Sequence, residues 1–426
     1  MAVPVIDWSD WSASTIEPFM EAVIHFQSGN VTLTDENIVN VQFDALMFDS
    51  SHVLFGPPQP ITGFLEIIDY NQIYNPITNA ELIDNIQIDL YLGINVSGTA
   101  KKQLYGIFFA QEWAYDTSTH ITTVDFIDKV DELLTVDNRL DGLVPTKNQD
   151  LQAFLVALLD LSGHTWVNHL LISNTVTLPY SFYEESMAST LNNAIEALMA
   201  SYIYAPDGIG HLFKEYWYTT GITLTDEDVD SWEFMQSSIQ TYDSVDVKAQ
   251  LPFLKKEEVL VSFDSTALQA STTYDYTATH VFETYGFQAS TANSTIPIVI
   301  YNANILGIYW RNSSNILYDT FSVIGSVIKF AEQQVSVVGN RPYTITNNYI
   351  PTISYAAQIS QYLESKIFED YFVLKCSLRG CYGLWVGGLI SVDSDMYDIS
   401  GTYTIVGLSF SYNGAVHTNL TLHRIS

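Results

Sequence analysis

Ile86, Ile88, Leu90 and Leu92 alternate with polar neighbours, the period of a strand with one buried face. Strand-like stretches of the same kind occupy 22–27, 38–48, 63–69, 85–93, 104–113 and 120–126, separated by turn chemistry such as Gly56-Pro57-Pro58 and the Ser97-Gly98 step. A sandwich or small barrel is the predicted architecture for this block.

The period changes after about residue 138. Over 149–161 the positions Leu151, Phe154, Leu155, Leu158 and Leu159 fall on one face of a helix. Leu191, Ala194, Ile195, Leu198 and Met199 repeat that spacing over 189–200, with Ser189 as the expected N-cap. Strand-like sequence follows each helix, which predicts two helix-plus-strand units in an α/β segment. Burying five large apolar side chains contributes roughly 7–15 kcal/mol before entropy, so each helix must dock against a sheet.

From Val245 strands return at 259–263, 296–301, 305–310, 321–330 and 334–338, while 265–279, rich in Ser, Thr, Ala and Tyr, reads as a long exposed connection. Ile359, Tyr362, Leu363 and Ile367 predict a helix over 355–368 opening at Ser354, and Asn413-Gly414 reads as a two-residue hairpin between closing strands. The fold class expected is mainly β with an α/β insertion, divided at 1–137, 138–244 and 245–426.

With 47% apolar residues, 27 Tyr and 22 Phe in 426 residues, the chain carries more than enough to fold a large core. Its net charge of −32 argues against tight binding to phosphate backbones, because that affinity rests on Lys and Arg, and the longest basic runs are pairs such as Lys101-Lys102 and Lys255-Lys256. The first residues show no signal-peptide pattern, predicting synthesis in a cytoplasm. No apolar run is long enough to span a membrane as a helix; the stretch 296–310 is broken by Pro297, Asn302 and Asn304.

No catalytic, cofactor or metal site is expected. Asp226, Asp228 and Asp230 open like a calcium loop, but Ser231 stands where the loop needs Gly and Ser237 where it needs a bidentate Glu. Asp393, Asp395 and Asp398 fit a hairpin tip. Gly208 and Gly210 lack the third glycine of a phosphate cradle, and Asp207-Gly208 fits a turn. His164 and His169 are five apart, which does not match a metalloprotease pair. Cys376 and Cys381 read either as two reduced, partly buried thiols or as a bridge tying a hairpin. Neither has a sequence partner that marks it as a nucleophile. The Asn-x-Ser/Thr sites at Asn30, Asn95, Asn293, Asn312 and Asn419 are expected by chance in this composition.

Several short phrases nevertheless stand in a distinctive order: Ile61-Thr62-Gly63-Phe64, Tyr115-Asp116-Thr117 leading to Asp125-Phe126-Ile127-Asp128 and a short helix over 129–134, Pro206-Asp207-Gly208-Ile209-Gly210-His211-Leu212, Leu251-Pro252-Phe253-Leu254-Lys255-Lys256, Asn348-Tyr349-Ile350, and Gly387-Gly388-Leu389-Ile390-Ser391-Val392. As a series over nearly the whole chain they resemble the hub proteins at the tip of bacteriophage tails, with Gly387-Gly388 in place of the family's usual Gly-Asp. The resemblance implies two tube-forming β-barrel-like domains flanking a smaller α/β domain. It also implies a homotrimer at the virion tail tip or baseplate, with the tail tube or a distal tail protein above and a spike, fibre or tape-measure protein at the tip. DNA would pass through the pore without specific binding, and acidic groups are expected along part of it, repelling the polyanion. The competing readings are a cell-wall-degrading tail-tip protein and a receptor-binding protein whose Trp217, Trp232 or Trp310 stacks on sugars.

Overall fold

The computed structural model describes residues 6, 10–11, 16–48, 55–135, 148–161, 163–170, 176–179, 186–236, 242–267, 273–279, 288–291, 298–302, 305–311, 318–336, 339–367, 372–378, 380 and 383–425, with 256–328 described by backbone alone. It is mainly β, as the alternating pattern predicts. Seven strands open the chain: β1 (Ile16–Phe26), β2 (Gly29–Leu33), β3 (Ile38–Leu46), β4 (Thr62–Ile68), β5 (Gln87–Val96), β6 (Thr99–Asp116) and β7 (Ile121–Ile127). The strand β6 is longer than its hydrophobic pattern suggests because it serves two partners. Its first half pairs with β5, and from Phe109 onward it pairs with β7. In β5, Ile88, Leu90 and Leu92 are fully buried, the face their spacing predicts.

These strands continue without a break into the end of the chain. In a 13-stranded sheet, β3 hydrogen-bonds on one side to β4 and on the other to Ile399–Tyr412, in a register running from Leu46 opposite Gly407 to Val41 opposite Tyr412. Ile399–Tyr412 in turn pairs with Gly388–Ser394 and Val416–Arg424, and Val416–Arg424 pairs with Phe372–Leu378. Tyr218–Thr225 and Val229–Gln236 also belong here, paired with Gly388–Ser394 and Phe372–Leu378.

One core fills the space behind this sheet. Phe43 sits at its centre, with ring centroids 5.7 Å from Tyr105, 5.4 Å from Phe108, 5.8 Å from Trp385 and 5.1 Å from Phe410, so the opening and closing strands share one aromatic cluster. A second core gathers the helices Lys129–Thr135, Leu151–Leu161, Met187–Ala197 and Ile353–Ile367. Leu151, Phe154, Leu155, Leu158 and Leu159 are all buried there, and so are Leu191, Ala194 and Ile195. Val245, Val247, Tyr343 and Ile345, from the parallel pair Ser244–Ala267 and Pro342–Asn347, complete it.

Several local expectations need correction. The helix expected from 189 begins at Met187, and Ser186, not Ser189, caps it: the Ser186 hydroxyl accepts the Ser189 N–H. Ile353–Ile367 is opened by Thr352, whose hydroxyl accepts the Tyr355 N–H, leaving Ser354 inside the first turn. In both cases the chain offers several hydroxyls, and the choice falls on the one three residues before a free N–H. The stretch 265–279 is not a long connection, because Ser244–Ala267 extends into it and Thr273–Thr279 pairs with Ile305–Arg311. The strands expected at 321–330 and 334–338 are one, Tyr318–Ser336. The closing hairpin has three loop residues: Tyr412 faces Val416, and Gly414 takes the positive φ.

Candidate functional site

On the side of the 13-stranded sheet opposite the core, the strands around β3 carry a largely polar strip. Because side chains alternate along a strand, burial of Val41, Phe43 and Ala45 turns Gln42 and Asp44 outward, with Leu46 and Phe64 on the same face. Cross-strand register then extends this outer face over both ends of the chain. Asp44 lies between Ser409 and Thr62, Ser409 beside Asn419, and Asn419 beside Ser377. A neighbouring row runs from His417 through Ser411, Gln42 and Phe64 to Asp125 and Glu112.

Two shallow hollows lie on this face and share Asp44. One, of about 470 Å³, is bordered by Leu46, Glu233, Lys375, Gly407 and Asn419. The other, of about 410 Å³, is bordered by Thr62, Gly63, Phe64 and Asp125. The charged groups brought together by register are mostly carboxylates: Asp44, Glu66, Glu112, Asp125 and Glu233, with Lys375 opposite Glu233. Glu112 and Asp125 face each other across β6 and β7, both exposed. Gly63 is required here, since a Cβ would come within 2.2 Å of the Gln42 carbonyl oxygen. Sequence reasoning could not name this set of carboxylates, because the face is assembled from strands more than 300 residues apart.

The acidic motifs singled out from sequence are structural. Asp226 accepts hydrogen bonds from the Ser394 hydroxyl at 2.6 Å, the Met396 N–H and the Trp232 indole, which ties the turn after Tyr218–Thr225 to the 395–398 hairpin tip. The Ser394 bond, followed by the Met396 N–H, holds its carboxyl below the usual range. Asp228 accepts from the N–H and hydroxyl of Thr225. At Asp207-Gly208 the carboxylate accepts the Ile209 N–H and Gly208 has φ +81°, a turn joining Ser201–Tyr204 to Gly210–Phe213. Among the described residues no three His, Cys, Asp or Glu side chains cluster as a metal would require.

His169 and His211 do meet, with Nε2 of His169 2.9 Å from Nδ1 of His211, a contact that sequence spacing missed because it depends on the pairing of Trp166–Asn168 with Gly210–Phe213. His164 instead lies 3.3 Å from Glu132. Cys376 is a buried free thiol that burial pushes up to about 12; Cys381 lies outside the described residues. Trp217 and Trp232 donate their indole N–H groups to Val386 and Asp226, and the Trp310 side chain lies outside the description. No described helix is long and apolar enough to cross a membrane.

No family profile matches the sequence, and no curated protein does. The fold, however, matches solved phage proteins over nearly its whole length. The 43 kDa tail protein of prophage MuSo2 from Shewanella oneidensis superposes with a TM-score of 0.52 at 10% identity, covering 95% of this chain and 98% of that one. The tail protein from Neisseria meningitidis MC58 gives 0.53 at 8% identity, covering 95% and 96%. At these identities the likeness is one of fold, and the fold is that of these two tail proteins, in keeping with the resemblance the ordered motifs carry.

Proposed function

We propose that this chain is a non-enzymatic structural component of a phage tail, the trimeric hub of the tail tip or baseplate, joining a sixfold tube to a threefold spike or fibre. In this reading residues 1–137 and the closing part of 245–426 supply the two tube-forming domains, the latter with Tyr218–Gln236 from the 138–244 segment added to its sheet. The outer sheet face lines the channel through which DNA leaves. The observation that carries the proposal is the carboxylate-rich strip that register assembles from strands of both β-rich blocks, backed by one apolar core.

Its chemistry supports a passage more than a binding groove. Like charges opposite one another across a strand pair cost up to about 1 kcal/mol, so Glu112 facing Asp125 weakens the sheet. A wall that must not hold a polyanion gains from that arrangement. Electron microscopy of the purified protein tests the reading. Threefold open rings about as wide as a tail tube support it, and compact monomers that remain monomeric when mixed with the other tail proteins refute the hub.

A further inference from the structure

The connection from β4 to β5 is long, ordered and apolar on its outside. Tyr70 is 71% exposed, Ile73 52%, Ile77 91% and Ile83 49%. Four large apolar side chains exposed on one loop are a surface that soluble proteins ordinarily bury or use.

The loop is nevertheless fixed. The buried Asp69 carboxylate accepts the N–H groups of Ile73 and Tyr74 at 2.7 and 2.8 Å, and the Thr122 hydroxyl at 3.3 Å. The Asn75 side chain accepts the Ile77 N–H, and Asn79 both donates to the Ile73 carbonyl and accepts the Glu81 N–H. Gln72 holds φ at +56°, a left-handed turn. Tyr74 and Leu82 turn inward to the core, so the loop has an anchored side and a presented side. Rigid presentation lowers the entropy lost when a partner docks.

The surroundings select the partner. At this end of the first block lie Asp35 and Glu36 in the turn between β2 and β3, Asp116 at the end of β6, and Glu81 and Asp84 in the loop itself. Of the block's three lysines, Lys101 and Lys102 sit at the opposite end, where β5 turns into β6, and Lys129 follows the end of β7 that pairs with Thr62, away from Ile68 and the loop. A second copy would set carboxylates against carboxylates through the same loop, and in a head-to-tail ring would offer this rim a chain of net charge −32; an anionic lipid surface would be repelled.

We infer that the 69–86 loop is a docking surface for a different protein of the tail, one that presents apolar side chains ringed by Lys and Arg. This rests on the tail reading above. The test places the photocrosslinking amino acid p-benzoylphenylalanine at position 77 of the full chain, in tails assembled with their other proteins, and locates the chain in the same tails by gold labelling. A crosslink from position 77 to another tail protein, on a peptide with Lys or Arg beside apolar residues, is expected. Ile77→Asp should reduce incorporation at least about tenfold while leaving thermal unfolding unchanged. A chain present in the tail whose position 77 crosslinks to its own copies, or to nothing, overturns the inference and spares the tail reading. A chain absent from the tail overturns both.

Discussion

Trp217 stacks on His211 with ring centroids 3.9 Å apart and an interplanar angle of 23°, while its indole N–H donates to the Val386 carbonyl at 3.0 Å. One side chain thus joins the small sheet of the α/β unit to the closing β-strands. Burial, followed by the neighbouring His169, lowers His211 to about 4, so in the folded protein it stays neutral through mild acid. Unfolded, it would titrate near 6.5. The unfolded state binds the extra proton between those values, so this site contributes stability that is present at neutral pH and lost as pH falls from about 6.5 toward 4. Urea denaturation of the parent and His211→Phe at pH 7 and pH 4.5 should show the parent losing about 1–2 kcal/mol more than the variant; equal losses would remove His211 from the account.

Phe43 belongs to the packing of both β-rich blocks. Phe43→Ala should cost about 3–5 kcal/mol. Since the cluster holds Tyr105 and Phe108 from one block and Trp385 and Phe410 from the other, calorimetry of the variant should show a broader or more divided unfolding transition than the parent.

Gly63 has no room for a methyl group. An added Cβ would meet the Gln42 carbonyl oxygen at 2.2 Å, the Phe43 Cβ at 2.6 Å and the Phe126 ring at 2.7 Å, mostly groups that cannot swing away. Gly63→Ala should destabilise by about 2–4 kcal/mol, read from the urea midpoint.

How much was legible follows the range of the forces. Local periodicity located the helices Leu151–Leu161 and Ile353–Ile367 within a few residues and the buried face of β5. It could not choose Ser186 over Ser189, since a cap depends on where the first free N–H falls. Nor could it see β3 beside Ile399–Tyr412, because strand partnership is not written in either strand alone. The outer polar face was illegible for that reason: Asp44 and Ser409 each read as an ordinary exposed strand residue until the register sets them side by side.

The charge of that face should decide how the protein meets DNA. The parent is expected to show no retention of duplex DNA in filter binding at 50–200 mM salt. The variant carrying Asp44→Lys, Glu66→Lys and Asp125→Lys should bind with an affinity that falls steeply with salt, by a slope of about 0.9 per phosphate engaged. Salt-dependent binding by the parent would contradict a repelling wall.

Cys376 should be chemically silent in the folded state. Burial pushes its thiol to about 12, leaving almost no thiolate at pH 8. Iodoacetamide followed by peptide mapping should leave it unmodified until denaturant is added.

The hydrogen bonds between β3 and Gly407–Tyr412 also set a timetable for biosynthesis. When the ribosome has made the first seven strands, the flank of β3 that will meet residue 407 is still bare, and it stays bare until residues 407–412, more than 300 positions further along, have emerged. An incomplete product would carry an unpaired strand edge beside the uncovered Phe43, a template for aggregation. Truncations before Gly407 should therefore accumulate as insoluble protein, and successful maturation depends on holding the nascent chain apart from its copies until the strand that pairs with β3 arrives.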